Sequence, residues 1–264
     1  FPSIQFGVEM AFLSLQSKTP FELFPSEFTE GKKNMLINGL VWMGEEHFMK
    51  TQIEEKLAQG FSCIKLKIGA IDFKKELGLL RFIRQNFNAK TIEIRVDANG
   101  AFSSNEALDK LYQLNEFELH SIEQPIKANQ IQEMKRLCQQ TPFPIALDEE
   151  LIGVFGLENK RTLLEEIQPQ YIILKPSLVG GFKGTLEWIS IAKSLNIGWW
   201  ITSALESNIG LNAITQFTYT LENPMPQGLG TGGLYTNNFD CPLEIQNGKI
   251  GYHPNKKWET SSIL

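Results

Sequence analysis

Cysteine and histidine are scarce in this chain, with three of each among 264 residues. Cys63, Cys138 and Cys241 are far apart and form no Cys-x-x-Cys pair. That usage fits free thiols in a reducing compartment, and the expected location is the cytoplasm. His47, His120 and His253 lack the short spacing of a zinc site. No run of about 18 apolar residues exists, so no transmembrane helix and no membrane partner are expected. Basic charge is also short: 25 Lys and Arg face 30 Asp and Glu, a formal net charge of −5. This argues against nucleic acid or an anionic membrane as the main partner. The opening Phe1-Pro2-Ser3 has neither a basic n-region nor an initiator Met. It starts inside what reads as an element, so a preceding N-terminal segment is expected. Nothing in the composition sets an oligomeric state.

What the chain does have is rhythm. From about Asn38, short apolar strands alternate with amphipathic helices. Leu40-Val41-Trp42-Met43 reads as a strand, Glu46 to Gln59 as a helix closed by Gly60, and 63–68 as the next strand. The positions just past successive strands (42, 67, 97, 123, 148, 175, 206 and 230) lie roughly 24–31 residues apart. Such even βα units predict a parallel sheet covered by helices. Eight of them, the last without a clear helix after it, predict an α/β fold of the (β/α) barrel type. An open doubly wound sheet is the alternative, but residues 43–48 carry no phosphate-binding turn. Three regions follow: 1–35 as a remnant of a second small domain, 36–235 as the barrel, and 236–264 as a hairpin and tail. Asn247-Gly248 marks the hairpin turn, and 256–264 reads as a frayed tail.

In the strand Cys63-Ile64-Lys65-Leu66-Lys67-Ile68-Gly69, alternation puts Lys65 and Lys67 on one face. Buried together, two ammonium groups require anions. The later strand ends offer them: Asp97 and Asn99, then Glu123, then Asp148, followed by Lys175 and Glu206. In a barrel these ends share one mouth. Neighbouring strands lie about 5 Å apart, so three consecutive strand-end carboxylates converge and repel. A divalent cation with oxygen ligands, Mg²⁺ or Mn²⁺, relieves that repulsion. The competing reading is a barrel interior in which lysines and acids merely neutralise each other. Two other barrel chemistries touch single residues: Glu123 with Glu206 as a glycosidase pair, and Lys175 as a Schiff-base lysine. Each leaves most of the set unexplained. Gly228-Leu229-Gly230-Thr231-Gly232-Gly233 fits G-x-G-x-x-G but opens no βαβ unit, so dinucleotide binding is rejected.

Lys65-x-Lys67, Asp97-Ala98-Asn99, Glu123-Gln124-Pro125, Asp148-Glu149 and Lys175-Pro176 together resemble the enolase superfamily of the muconate-lactonising type. The resemblance covers residues 36–235 and implies an α/β fold of the modified TIM-barrel type, (β/α)7β, with 1–35 as the C-terminal part of an N-terminal α+β capping domain. It implies a small-molecule carboxylate substrate, a proton taken from the carbon α to the carboxylate, and an enediolate stabilised by Mg²⁺. It further implies Lys67 as the acid/base, Lys175 stabilising the enediolate, and Lys65 as an electrostatic helper. Asp97, Glu123 and Asp148 would be metal ligands, with Asn99 and Glu149 orienting them. Lys175 to Gly181, Ser203 to Ser207 and Gly228 to Thr231 resemble the dehydratase branch, in which a succinyl-bearing cyclohexadiene carboxylate loses water. There Ser203, Glu206 and Gly230 are candidates for substrate contact. The racemase and epimerase branch, which uses a lysine on each face, is the alternative. The chain departs from the family pattern in lacking the first part of the capping domain.

Overall fold

The computed structural model describes residues 1–259. The elements run α1 (Pro2–Gln16), β1 (Met35–Leu36), β2 (Gly39–Val41), α2 (Glu46–Ala58), β3 (Cys63–Lys67), α3 (Phe73–Asn86), β4 (Glu93–Asp97), α4 (Ala107–Leu114) and β5 (Ser121–Glu123). They continue α5 (Ile131–Gln140), β6 (Ile145–Leu147), α6 (Leu157–Ile167), β7 (Tyr171–Leu174), α7 (Pro176–Val179), α8 (Gly181–Ser194), β8 (Gly198–Ile201), α9 (Asn208–Thr220), β9 (Leu243–Gln246) and β10 (Lys249–Tyr252). The expected βα repeat is present, with β2 to β8 following one another in sequence order across one sheet. Each neighbouring pair from β2 to β7 is parallel.

The chain divides into two compact units, one of residues 39–173 and 188–199, the other of residues 1–38, 174–187 and 200–264. In the first unit, β3 and β4 are sealed. Ile64, Leu66, Ile94 and Val96 have no accessible surface, as expected for parallel strands covered on both faces. α3 starts at a real cap, where the Asp72 carboxylate accepts from the Lys74 N–H at 3.0 Å. Its inward stripe of Leu79, Leu80 and Ile83 is buried. Register is explicit at the strand ends: Lys67 lies opposite Asp97, and Asp97 opposite Glu123.

In the second unit, α9 is buried from Gly210 to Phe217 on every side. Its Gln216 amide accepts from the Leu23 and Phe24 N–H groups and donates to the Phe21 carbonyl, so it anchors a segment with no period of its own. Glu9 of α1 accepts from the Phe182 N–H at 2.5 Å, placing a carboxylate at the first turn of α8. A Cβ at Gly181 would collide with that carboxylate. The hairpin of β9 and β10 turns at Asn247-Gly248, both at positive φ (51° and 68°), as that dipeptide predicts. β1 adds a third strand to it.

In α1, Phe12 and Leu15 are exposed, and Phe6 is the residue that the helix buries. Two expectations change. The eighth strand is reduced to single parallel bridges, Ile37 with Gln227 and Thr202 with Gly228. Trp258 lies 4.5 Å from the Phe21 ring, so the described part of the tail is anchored. Residues 260–264 of that tail lie outside the described residues.

Candidate active site

The lysine strand carries its two charges inward, as alternation requires. Lys65 is buried, and its ammonium lies between the carboxylates of Asp97, at 2.9 Å, and Glu123. Lys67 Nζ donates to Asp97 Oδ2 at 2.9 Å and to Asn99 Oδ1 at 2.5 Å. It also lies 5.9 Å from the Trp42 ring. Asn99 adopts φ +44° and donates through Nδ2 to Glu149 Oε1 at 2.9 Å. Its own N–H donates to Asp97 Oδ1 at 3.0 Å. Asp148 is buried directly after β6 and adds its field to those that act on Lys65.

The electrostatics are reciprocal. Burial by itself lowers the pKa of Lys65, but Asp97 and Glu123 outweigh it and hold the ammonium above its ordinary range. Burial by itself raises the pKa of Asp97, and Lys65 with Lys67 outweigh that, keeping the carboxyl below the usual carboxylate range. The fixed charges are therefore mutually dependent.

The donor set suits a divalent cation in kind: three buried carboxylates, oxygen only, face two ammonium groups. Among the described residues, no three His, Cys, Asp or Glu side chains are gathered so that they could hold a metal ion. The Lys65 ammonium stands between two of the three carboxylates instead.

Six of the eight residues expected at the catalytic, metal and orienting positions lie in one hydrogen-bonded and ion-paired set: Lys65, Lys67, Asp97, Asn99, Glu123 and Glu149. Asp148 borders that set, and Lys175, the eighth, belongs to the other unit, as do Ser203, Glu206 and Gly230. Lys175 directly follows β7, and its carbonyl accepts from the Leu178 and Val179 N–H groups. Within that unit, Ser203 Oγ and Thr231 Oγ1 share a hydrogen bond of 2.6 Å, and Glu206 accepts from the Ser177 hydroxyl.

Residues not singled out from sequence also bear on the site. Glu76 is buried on α3, and its Oε1 accepts from the Gly69 N–H at 2.6 Å, two residues beyond Lys67. Burial pushes the Glu76 carboxyl up, and the backbone N–H groups of Gly69 and Ile71 oppose that. Gln52 clasps the end of β2 by accepting from the Trp42 N–H and donating to the Trp42 carbonyl. Gln124 and Glu150 form a further link, the Gln124 Nε2 donating to Glu150 Oε2 at 3.1 Å. Only Gln124 had a sequence signal, its place between Glu123 and Pro125.

Residues 49–254 match the model of the enolase C-terminal domain-like family, and the chain belongs to that family. It is 56% identical over 251 residues to an o-succinylbenzoate synthase of Desulfotalea psychrophila, a match covering 95% of this chain and 68% of that protein. The crystal structure of MenC from Desulfotalea psychrophila superposes with a TM-score of 0.89 at 54% identity, covering 95% of this chain and 69% of that one. An N-succinylamino acid racemase of Thermus thermophilus is 31% identical over 159 residues, or 60% of this chain and 40% of that protein. The chain thus spans about two thirds of the first relative's length and less of the second's.

Proposed function

We propose that the protein is a lyase acting as an o-succinylbenzoate synthase of menaquinone biosynthesis, a cytoplasmic enzyme whose substrate is a small carboxylate. The observation that carries this reading is the 56% identity to such a synthase over 95% of the chain, joined to the Lys67–Asp97–Asn99 contacts. The reaction converts 2-succinyl-6-hydroxy-2,4-cyclohexadiene-1-carboxylate to 2-succinylbenzoate and water. Lys67, as the free amine, takes the proton from the carbon α to the carboxylate. The electron pair left behind forms the enediolate. As it returns, the C–O bond to the hydroxyl breaks, and the same Lys67 ammonium gives its proton to the departing oxygen, so water leaves and the ring becomes aromatic.

Asp97, Glu123 and Asp148 would hold Mg²⁺ or Mn²⁺, which supplies positive charge against the developing dianion. Lys65, charged and buried, fixes the Asp97 and Glu123 carboxylates and offsets negative charge at the substrate. Asn99 holds the Lys67 amine in place and is itself held by Glu149. Lys175 supplies a second cation toward the enediolate. Ser203, Glu206 and the chain near Gly230 contact the succinyl arm.

Mg²⁺-dependent dehydration, assayed on wild type and Lys67→Ala, tests the assignment. The expected loss is at least about 10²–10⁴-fold. Activity that survives the substitution would sink it. The racemase relative motivates one parallel assay on the same sample. Racemisation of an N-succinylamino acid without dehydration would move the protein to that branch.

A further inference from the structure

Gln124 is 1% exposed and stands at φ +39°, a left-handed backbone conformation unusual for a side chain of its size. Every polar atom of its amide is used. Oε1 accepts from the Asp148 N–H and the Glu150 N–H, each at 3.3 Å. Nε2 donates to the Ile126 carbonyl at 3.0 Å and to Glu150 Oε2 at 3.1 Å. The orientation of the amide is fixed by this pattern. Reversed, its oxygen would face a carbonyl and a carboxylate while its NH₂ faced two N–H groups.

The main chain of the same residue reaches the other side. Its carbonyl accepts from the Gly100 N–H at 2.7 Å, and its own N–H donates to the Ala146 carbonyl at 2.9 Å. A Cβ on Gly100, itself at φ +72°, would come within 2.8 Å of Lys127 Cα, so that approach admits only glycine without a shift. Glu150, buried, extends the link by accepting from the Asn129 N–H at 2.8 Å. One residue therefore ties the segment of Asp97 and Asn99, the segment of Glu123 and the segment of Asp148 and Glu149.

We propose that Gln124 is a positioning residue that sets the spacing of the Glu123 and Asp148 carboxylates, and thereby of the divalent cation they would share. This rests on the reading of those carboxylates as metal ligands given under Proposed function. Gln124 touches no reacting atom. It acts through the two strand ends, and groups that orient ligands in this way are commonly worth 10–100-fold in metal affinity.

The test uses Gln124→Met, which keeps the bulk of the side chain and removes its donors, and the paired exchange Gln124→Glu with Glu150→Gln. In the pair, the carboxylate at 124 still accepts from the 148 and 150 N–H groups and from the amide at 150, while the Ile126 carbonyl loses its donor and faces a carboxylate oxygen. Direct Mn²⁺ titration and amide hydrogen exchange are measured on all three proteins. Gln124→Met is expected to weaken Mn²⁺ binding about 10–100-fold. The Asp148 and Glu150 amides should exchange faster while those of β3 and β4 stay protected. The paired exchange should recover part of the affinity. Unchanged affinity in Gln124→Met would overturn the proposal. So would loss of protection across the whole sheet without recovery in the pair, since that marks a purely structural role. Wild-type protein that binds no Mn²⁺ defeats the metal-site reading instead. The exchange arm then still decides whether Gln124 holds the two strand ends in register.

Discussion

Two regions of this molecule invert the usual distribution of polarity, in opposite directions. At the ends of β3, β4 and β5, charged side chains are buried: Lys65 at 8% exposure, Asp97 at 0% and Glu123 at 2%. From the cap residue Phe1 along α1, Phe1, Ile4, Val8, Phe12 and Leu15 form an apolar stripe at helical spacing, and all are exposed. The difference lies in what each region has for partners. The buried charges have one another at hydrogen-bond distance, so removing any one strands the rest. The α1 stripe is held in place by other contacts of its helix. Phe6 lies edge-on to Phe182 at 5.3 Å, and Glu9 caps α8. Hydropathy alone would have sorted both regions the wrong way.

Asp97→Ala breaks the charged region most severely. It leaves two ammonium groups without a shared carboxylate, and a stability loss of about 3–5 kcal/mol is expected in urea unfolding, with dehydration lost as well. A loss under about 1 kcal/mol would mean that the lysines repartner freely. Next comes Glu76→Ala, which frees the Gly69 N–H and loosens the turn after Lys67. It is expected to cost about 1–3 kcal/mol and to lower kcat more than it raises KM.

A smaller effect comes from pH. Burial holds the His120 pKa below its ordinary value, so the unfolded chain binds that proton more readily than the folded one. Stability from this group is complete above the unfolded-state pKa, near 6.5, and is lost as pH falls below it. Unfolding midpoints at pH 7.5 and 5.5 should differ in that direction, and the difference should shrink in His120→Asn. Phe12→Ser sharpens the other side of the comparison. Stability should move by no more than about 0.5 kcal/mol, while binding of an apolar dye should fall. A large loss of stability would show that the stripe is held by contacts after all.

The repeat was legible because parallel strands write themselves as short apolar runs, and Asn247-Gly248 announced its hairpin. The strand-end charges were legible because their spacing matched the repeat. The braces were not. Glu76 reads as one more acid on an amphipathic helix, and its partner Gly69 is fixed only by how α3 lies on β3. Glu150 reads as the third member of an acidic run, though its partners, Gln124 and Asn129, lie more than 20 residues earlier in sequence. The eighth strand illustrates the converse. The period puts the end of that strand near 230, yet a Cβ at Gly228 would collide with Thr202. The segment comes close enough for bridges only because it has no side chain there.

The three cysteines give the molecule an internal clock for opening. Cys63, Cys138 and Cys241 are unbonded and buried. Burial pushes each thiol up, Cys138 to about 12, so little reactive thiolate exists in the closed state. Alkylation must wait for the chain around each sulfur to part. Cys63 and Cys138 belong to the unit of the charged strand ends, and Cys241 to the unit of α1. Mass-resolved labelling over time would therefore rank the two units by how often each comes open.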